Sequence, residues 1–188
     1  METKSATWQW IPVVILAGAA IYFAFQPRTP STLRALELTP LNAEAKEVKL
    51  DDLRGQVVLI NFWGTWCGPC VQEFPHIVEV QRQYRDRKDF RLLSISSQGR
   101  GENEDVPQLR ADVEAFQKAR GSALPVYADP RGATRAGLAD VVSTGMFPAT
   151  FLVDREGRVI EGVLGYDPPT FDRLKLQLAT LLEESAQR

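Results

Sequence analysis

The sequence predicts an α/β sandwich, a central mixed sheet flanked by helices and preceded by one N-terminal transmembrane helix. Three patterns point there. Continuous apolar runs of strand length alternate with stretches whose apolar residues recur at helical spacing. The last third of the chain closes with a hairpin signal and an amphipathic helix. The N-terminus is a separate apolar object that belongs to no packed domain.

That N-terminal object comes first. Between Lys4 and Arg28 the chain carries no charge, an interval of 23 residues. As a helix it extends about 34 Å, enough to cross a hydrocarbon core of about 30 Å. Its most apolar part is residues 11–25, and Trp8 and Trp10 sit where an aromatic interfacial belt belongs. Residues 1–27 are therefore expected to form a membrane anchor. A cleaved signal peptide is the alternative: Ala17, Gly18 and Ala19 are small, but no cleavage site follows the apolar run. A buried core helix is disfavoured by the near-absence of polar residues. Lys4 and the terminal amine balance Arg28 and Arg34, so flanking charge does not fix orientation. Residues 28–35 continue a polar stretch with Pro27 and Pro30 and read as an extended linker. The soluble domain is expected over residues 36–188.

Within that domain, residues 36–38 and 48–50 read as short strands around the turn-like Leu41, Asn42 and Ala43. Residues 57–62 are continuously apolar but for Asn61, as in a strand covered on both faces. A helical stripe follows in Phe74, Ile77, Val78, Gln81 and Tyr84, with Pro75 expected to kink it. Residues 90–95 read as a strand, 96–105 as a polar stretch, and 108–120 as a helix with Val113 and Phe116 on one face. Residues 124–128 are the next strand and 134–138 a short helix. A strand over 149–153, a turn at 154–157 and a strand over 159–164 form the hairpin. Phe171, Leu174, Leu178, Leu181 and Leu182 line the closing helix.

Composition narrows function. Of 188 residues, 44% are hydrophobic and 24% charged, as a packed domain requires. A net charge of −2 gives no basic footprint, so no nucleic-acid partner is expected. The two cysteines, Cys67 and Cys70, are too few for a disulfide scaffold. With one histidine they supply at most three soft ligands, short of a structural zinc site. No metal and no cofactor are expected. The pair follows a buried strand and opens a helix, where free N–H groups and the helix dipole favour a thiolate. Residues three apart on a helix are close enough for a Cys67–Cys70 disulfide. Gly68 lets a partner backbone approach, and Pro69 suits the first turn. Cys67 is thus the candidate nucleophile and Cys70 the resolving thiol.

The run Asn61-Phe62-Trp63-Gly64-Thr65-Trp66-Cys67-Gly68-Pro69-Cys70 resembles the active-site signature of the thioredoxin superfamily. With Glu73-Phe74-Pro75 and the late stretch Gly145-Met146-Phe147-Pro148-Ala149-Thr150-Phe151-Leu152-Val153-Asp154, it is similar to the membrane-anchored TlpA/ResA-like branch. The resemblance implies a thioredoxin-like fold with an extra segment between the cysteine helix and the late stretch. It implies that Pro148 is a cis-proline opposite the disulfide, leaving the Phe147 main chain free for an extended substrate. It places a carboxylate, Glu73, near the cysteines, where burial would raise its pKa and let it accept the Cys70 proton. Asn61 stands where thioredoxin has an aspartate, which shifts proton handling to Glu73. Trp66 resembles an exposed indole beside the active site. Trp63 reads as core, and His76 receives no role.

The expected activity is protein-disulfide reduction by the Cys67/Cys70 dithiol. By resemblance, electrons come from a membrane thiol transporter and go to extracytoplasmic proteins, apocytochrome c being one candidate client. The expected location is the cytoplasmic membrane of a bacterium, through a single-pass anchor, with the domain facing the periplasm or cell exterior. A disulfide oxidase or isomerase on the same fold is the alternative. A copper metallochaperone is a further one, but related carriers space their cysteines more widely and use a distant histidine. The Pro-x-x-x-Thr/Ser-x-x-Cys run of peroxidases is absent.

Overall fold

The computed structural model describes residues 31–99, 104–138 and 145–184. The expected anchor at residues 1–27 lies outside the described residues. Among those described, no helix is long and apolar enough to cross a membrane.

Six strands form one sheet: β1 (Thr39–Pro40), β2 (Val57–Trp63), β3 (Phe90–Ser96), β4 (Val126–Ala128), β5 (Ala149–Val153) and β6 (Val159–Leu164). Their order is β1-β4-β3-β2-β5-β6. β2, β3 and β4 are parallel, and β1, β5 and β6 each run antiparallel to their neighbours. The helices are α1 (Gly68–Tyr84), α2 (Val106–Arg120), α3 (Ala133–Ala136) and α4 (Pro168–Glu183). α1 and α2 are the crossovers that parallel neighbours need. This is the α/β sandwich expected, with a mixed sheet.

β2 is buried at all seven positions because both faces of the sheet are covered. Its residues alternate. Val57, Leu59 and Trp63 join the apolar stripes of α1, α2 and α4. Val58, Ile60 and Phe62 face the other way, beneath Leu33, Ala45, Val48, Leu53 and Leu138. The same period turns Asn61 toward the helices, which decides the chemistry of the site. Asp105 and Asp167 cap α2 and α4 through their side chains, each with a proline in the first turn. α1 runs through Pro75 as one element. The proline withdraws one donor from the ladder.

The first part of the domain differs from expectation. Residues 36–38 and 48–50 do not form strands. Leu36, Leu38 and Leu50 are half-buried core contacts without sheet partners, so their apolar pattern records burial rather than pairing. The short edge strand is Thr39–Pro40, opposite Ala128 and Tyr127. Leu50–Leu53 is a 3-10 helix, because Lys49 N–H donates to Asp52 Oδ2 at 2.8 Å and Asp52 N–H to the Lys49 carbonyl at 3.0 Å. Residues 31–33, within the expected linker, lie on the hairpin: Val159 N–H donates to the Ser31 carbonyl at 2.7 Å, and Leu33 N–H to that of Gly157 at 2.9 Å.

Candidate active site

The site begins where β2 hands the chain to α1. Cys67 caps the helix in an extended conformation, φ −91° and ψ 108°, and its sulfur accepts from Cys70 N–H at 3.3 Å. A disulfide joins Cys67 to Cys70 across a Cα–Cα distance of 5.2 Å. Cys67 is 5% exposed and Cys70 1%. Gly68 and Pro69 between them are exposed, and nothing occupies the space a side chain at 68 would take. On reduction, the Cys70 N–H and the positive helix end both favour a thiolate at Cys67. Cys70, one turn deeper, lacks that cap position.

Beneath the pair lies a carboxyl. Glu73 is three residues past Cys70 on α1 and is 1% exposed. Asn61 and Thr150 are register partners on β2 and β5, and the strand period turns both toward α1. Asn61 Nδ2 donates to Glu73 Oε2 at 2.8 Å and to Thr150 Oγ1 at 2.9 Å. Thr150 Oγ1 donates to Glu73 Oε1 at 2.8 Å. Burial raises the Glu73 carboxyl to about 7, against the hydrogen bonds from Thr150 and Asn61, which favour the charged form. A group poised there exchanges a proton at neutral pH. No sequence signal singles out Thr150 beyond its strand. Its part follows only from its pairing with Asn61.

Beside the pair lies an exposed aromatic rim. The Phe147–Pro148 bond is cis, as the resemblance implies. The Pro148 carbonyl accepts from Gly165 N–H at 2.8 Å. Among the described residues the Phe147 main chain makes no hydrogen bond. The Phe147 ring packs against the core cluster that holds both cysteines and meets the edge of Trp66, with centroids 5.5 Å apart. Trp66 is 56% exposed, and its Nε1 donates to the Ser97 carbonyl at 2.9 Å. The indole lies across two glycines. A Cβ on Gly64 would stand 2.5 Å from its Nε1, and one on Gly99 2.8 Å from Cζ2. Gly99 also holds φ +75°, so glycine is required there twice over.

The loop that seats Trp66 is fixed by Glu104, whose Oε1 accepts from the Ser97 hydroxyl and from Gln98 N–H at 2.9 Å. Burial raises the Glu104 pKa above its ordinary value. Sequence pattern reads this region only as polar and gives Glu104 no mark. Trp63 is core, as expected: it is 1% exposed, its Nε1 donates to Ser94 Oγ at 2.8 Å, and it packs on Phe74 and Phe116. His76 stacks on Tyr166 with centroids 5.8 Å apart. Among the described residues no three His, Cys, Asp or Glu side chains are grouped to hold a metal ion.

The chain and its fold are similar to known proteins. The AhpC/TSA family matches residues 32–161. The thiol-disulfide oxidoreductase ResA of Bacillus cereus is 29% identical over 171 residues, covering 88% of this chain and 91% of that protein. ResA of Geobacillus kaustophilus is 30% identical over 135 residues, covering 72% and 68%. The crystal structure of a thiol:disulfide interchange protein of the thioredoxin family from Chlorobium tepidum superposes with a TM-score of 0.60 at 25% identity, covering 79% of this chain and 95% of that one. The fold is thioredoxin-like, with α2 and α3 in the stretch between the cysteine helix and the late strands.

Proposed function

The chain belongs to the AhpC/TSA family and is a thiol–disulfide oxidoreductase, and on that premise we propose that it reduces disulfides of extracytoplasmic proteins, with Cys67 as nucleophile and Glu73 as the proton acceptor for Cys70. The observation that carries the mechanism is the buried Glu73 carboxyl, one helical turn below a capped cysteine pair. The Cys67 thiolate attacks one sulfur of the substrate disulfide. That bond breaks, and the departing sulfur leaves as a thiolate and is protonated by solvent. Cys70 gives its proton to Glu73 and attacks Cys67. The mixed disulfide breaks, and the second substrate sulfur leaves as a thiolate that takes up the proton Glu73 gives back through solvent. Two electrons have passed to the substrate, and the Cys67–Cys70 disulfide is the oxidised product.

The rim receives the polypeptide. The Phe147 main chain before Pro148, which makes no hydrogen bond among the described residues, suits addition of an extended segment, and Trp66, Gly68 and Pro69 are proposed to border it. The reducing direction is supported by the Gly68-Pro69 dipeptide, which resembles that of reducing members. The location is supported by residues 1–27, proposed as a single-pass anchor in the cytoplasmic membrane with the domain in the periplasm or at the cell exterior. There a membrane thiol transporter would return electrons to Cys67 and Cys70, and apocytochrome c is a candidate client. A Cys70→Ser variant expressed in cells is expected to hold extracytoplasmic proteins as mixed disulfides, identified by mass spectrometry. Capture of cytosolic proteins alone would overturn the location. A reduction potential near about −120 mV would overturn the direction and make the protein an oxidase.

A further inference from the structure

Arg135, on α3, has no part in the chemistry above, yet its side chain reaches the rim. Its Nη2 donates to the Met146 carbonyl at 3.2 Å. The guanidinium stands 4.4 Å from the centroid of the Phe147 ring and 5.3 Å from that of Phe62. Phe147 in turn meets Trp66, the residue before Cys67. A continuous stack therefore links α3 to the mouth of the disulfide.

The base of the stack is fixed. Asp129 accepts from the main-chain N–H groups of Thr134 and Arg135 at 3.2 and 2.8 Å. Thr134 Oγ1 accepts from Glu37 N–H at 3.0 Å. The charges of Asp129 and Glu104 act on the half-buried guanidinium against the cost of its burial. A planar cation is what this place needs, because one face covers a ring while an edge N–H meets a carbonyl.

We propose that Arg135 is a positioning residue for exchange with protein substrates: it holds the Met146 carbonyl and the Phe147 ring so that the main chain before Pro148 stays presented beside Cys67. This rests on the docking edge assigned to Phe147 above. It acts on the fit of a polypeptide and leaves the sulfur chemistry alone, so its loss divides large substrates from small ones.

The test compares Arg135→Met and Arg135→Lys with the unaltered full chain, on insulin as a disulfide-bonded protein and on hydroxyethyl disulfide as a small one. In Arg135→Met, KM for insulin is expected to rise about tenfold, while kcat/KM for the small disulfide and the pH profile of Cys67 alkylation stay within about twofold. Arg135→Lys keeps the charge and loses the plane, and a rise of about threefold is expected. An unchanged KM for insulin, or an equal loss on both substrates, overturns the proposal. Should Arg135→Met fail to fold, Arg135→Lys is judged by the same two criteria. A wild-type protein that proves to be an oxidase ends the reductase reading alone, because the same comparison then runs in reverse on a reduced, unfolded protein and on a small dithiol.

Discussion

The disulfide has a floor and a rim, and they are built in different ways. The floor is regular structure. Glu73 comes from α1, and Asn61 and Thr150 from two strands in register, so the three meet wherever this helix covers this sheet. The rim is assembled from loops and the short helix α3. Trp66, the Ser97–Gly99 turn with Glu104, Phe147 and Arg135 come from separate segments that the folded sheet brings into contact. A proton acceptor must hold its place closely, and rigid elements supply that. A surface that takes up varied polypeptides is suited to loops on a rigid scaffold.

The largest expected effects come from the sulfurs that floor and rim share. Cys67→Ser should reduce protein-disulfide reduction below about a thousandth of wild type, since a hydroxyl does not replace the thiolate. Cys70→Ser should leave the first attack intact and stall as a mixed disulfide, seen as a stable adduct by intact mass. Free turnover by either variant would remove the reason for the floor to exist.

Removing the floor's proton site comes next. Glu73→Gln should slow turnover at pH 7 about a hundredfold, as loss of a general base does. In a Cys67→Ser background, alkylation of Cys70 should show an inflection near pH 7 that Glu73→Gln abolishes. An unchanged profile would take Glu73 out of the mechanism. The same group sets a stability trend. Its carboxyl titrates near 4.5 when unfolded and about 7 when folded. Between those values the folded chain keeps a proton that the unfolded chain has lost. Stability from this group is therefore complete below about pH 4.5 and lost as pH rises to about 7, a change on the order of 3 kcal/mol. Urea unfolding of the oxidised protein at pH 5 and pH 8 should show the drop, and Glu73→Gln should flatten it.

Asn61→Asp sharpens the point by restoring a titratable group beside Glu73. Two carboxyls at hydrogen-bond distance share one proton, so the last ionisation moves higher. The variant should match wild type near pH 4 and lose on the order of 2 kcal/mol more by pH 8. A loss independent of pH would mean that Asn61 matters for packing and not for charge.

The two regions also differ in how far the chain's residues announce them. Cys67 and Cys70 at a strand-to-helix junction, and Glu73 three places further, are spacings, and spacing survives into the fold because β2 and α1 are regular. Glu104 and Arg135 have no such mark. Their partners, the Ser97 hydroxyl and the Met146 carbonyl, are set by how loops cross over a finished sheet. Residues 36–38 mislead for the same reason. Leu36 and Leu38 are half-buried by tertiary packing, and residues 36–38 form no strand.

The smallest expected effect lies at the rim and tests the division directly. Trp66→Phe keeps an aromatic ring at the rim but removes the indole N–H to the Ser97 carbonyl and the part of the indole that lies across Gly64 and Gly99. That bond lies at an exposed site, where water replaces it at little cost. A loss of about threefold in kcat/KM on a protein disulfide is expected, with the pH profile of Cys67 alkylation unmoved. A shift in that profile would mean that the indole also sets the thiolate, so that rim and floor are one device. A loss confined to KM keeps them apart, as the proposed mechanism requires, with the rim holding the polypeptide and the floor left to handle the Cys70 proton.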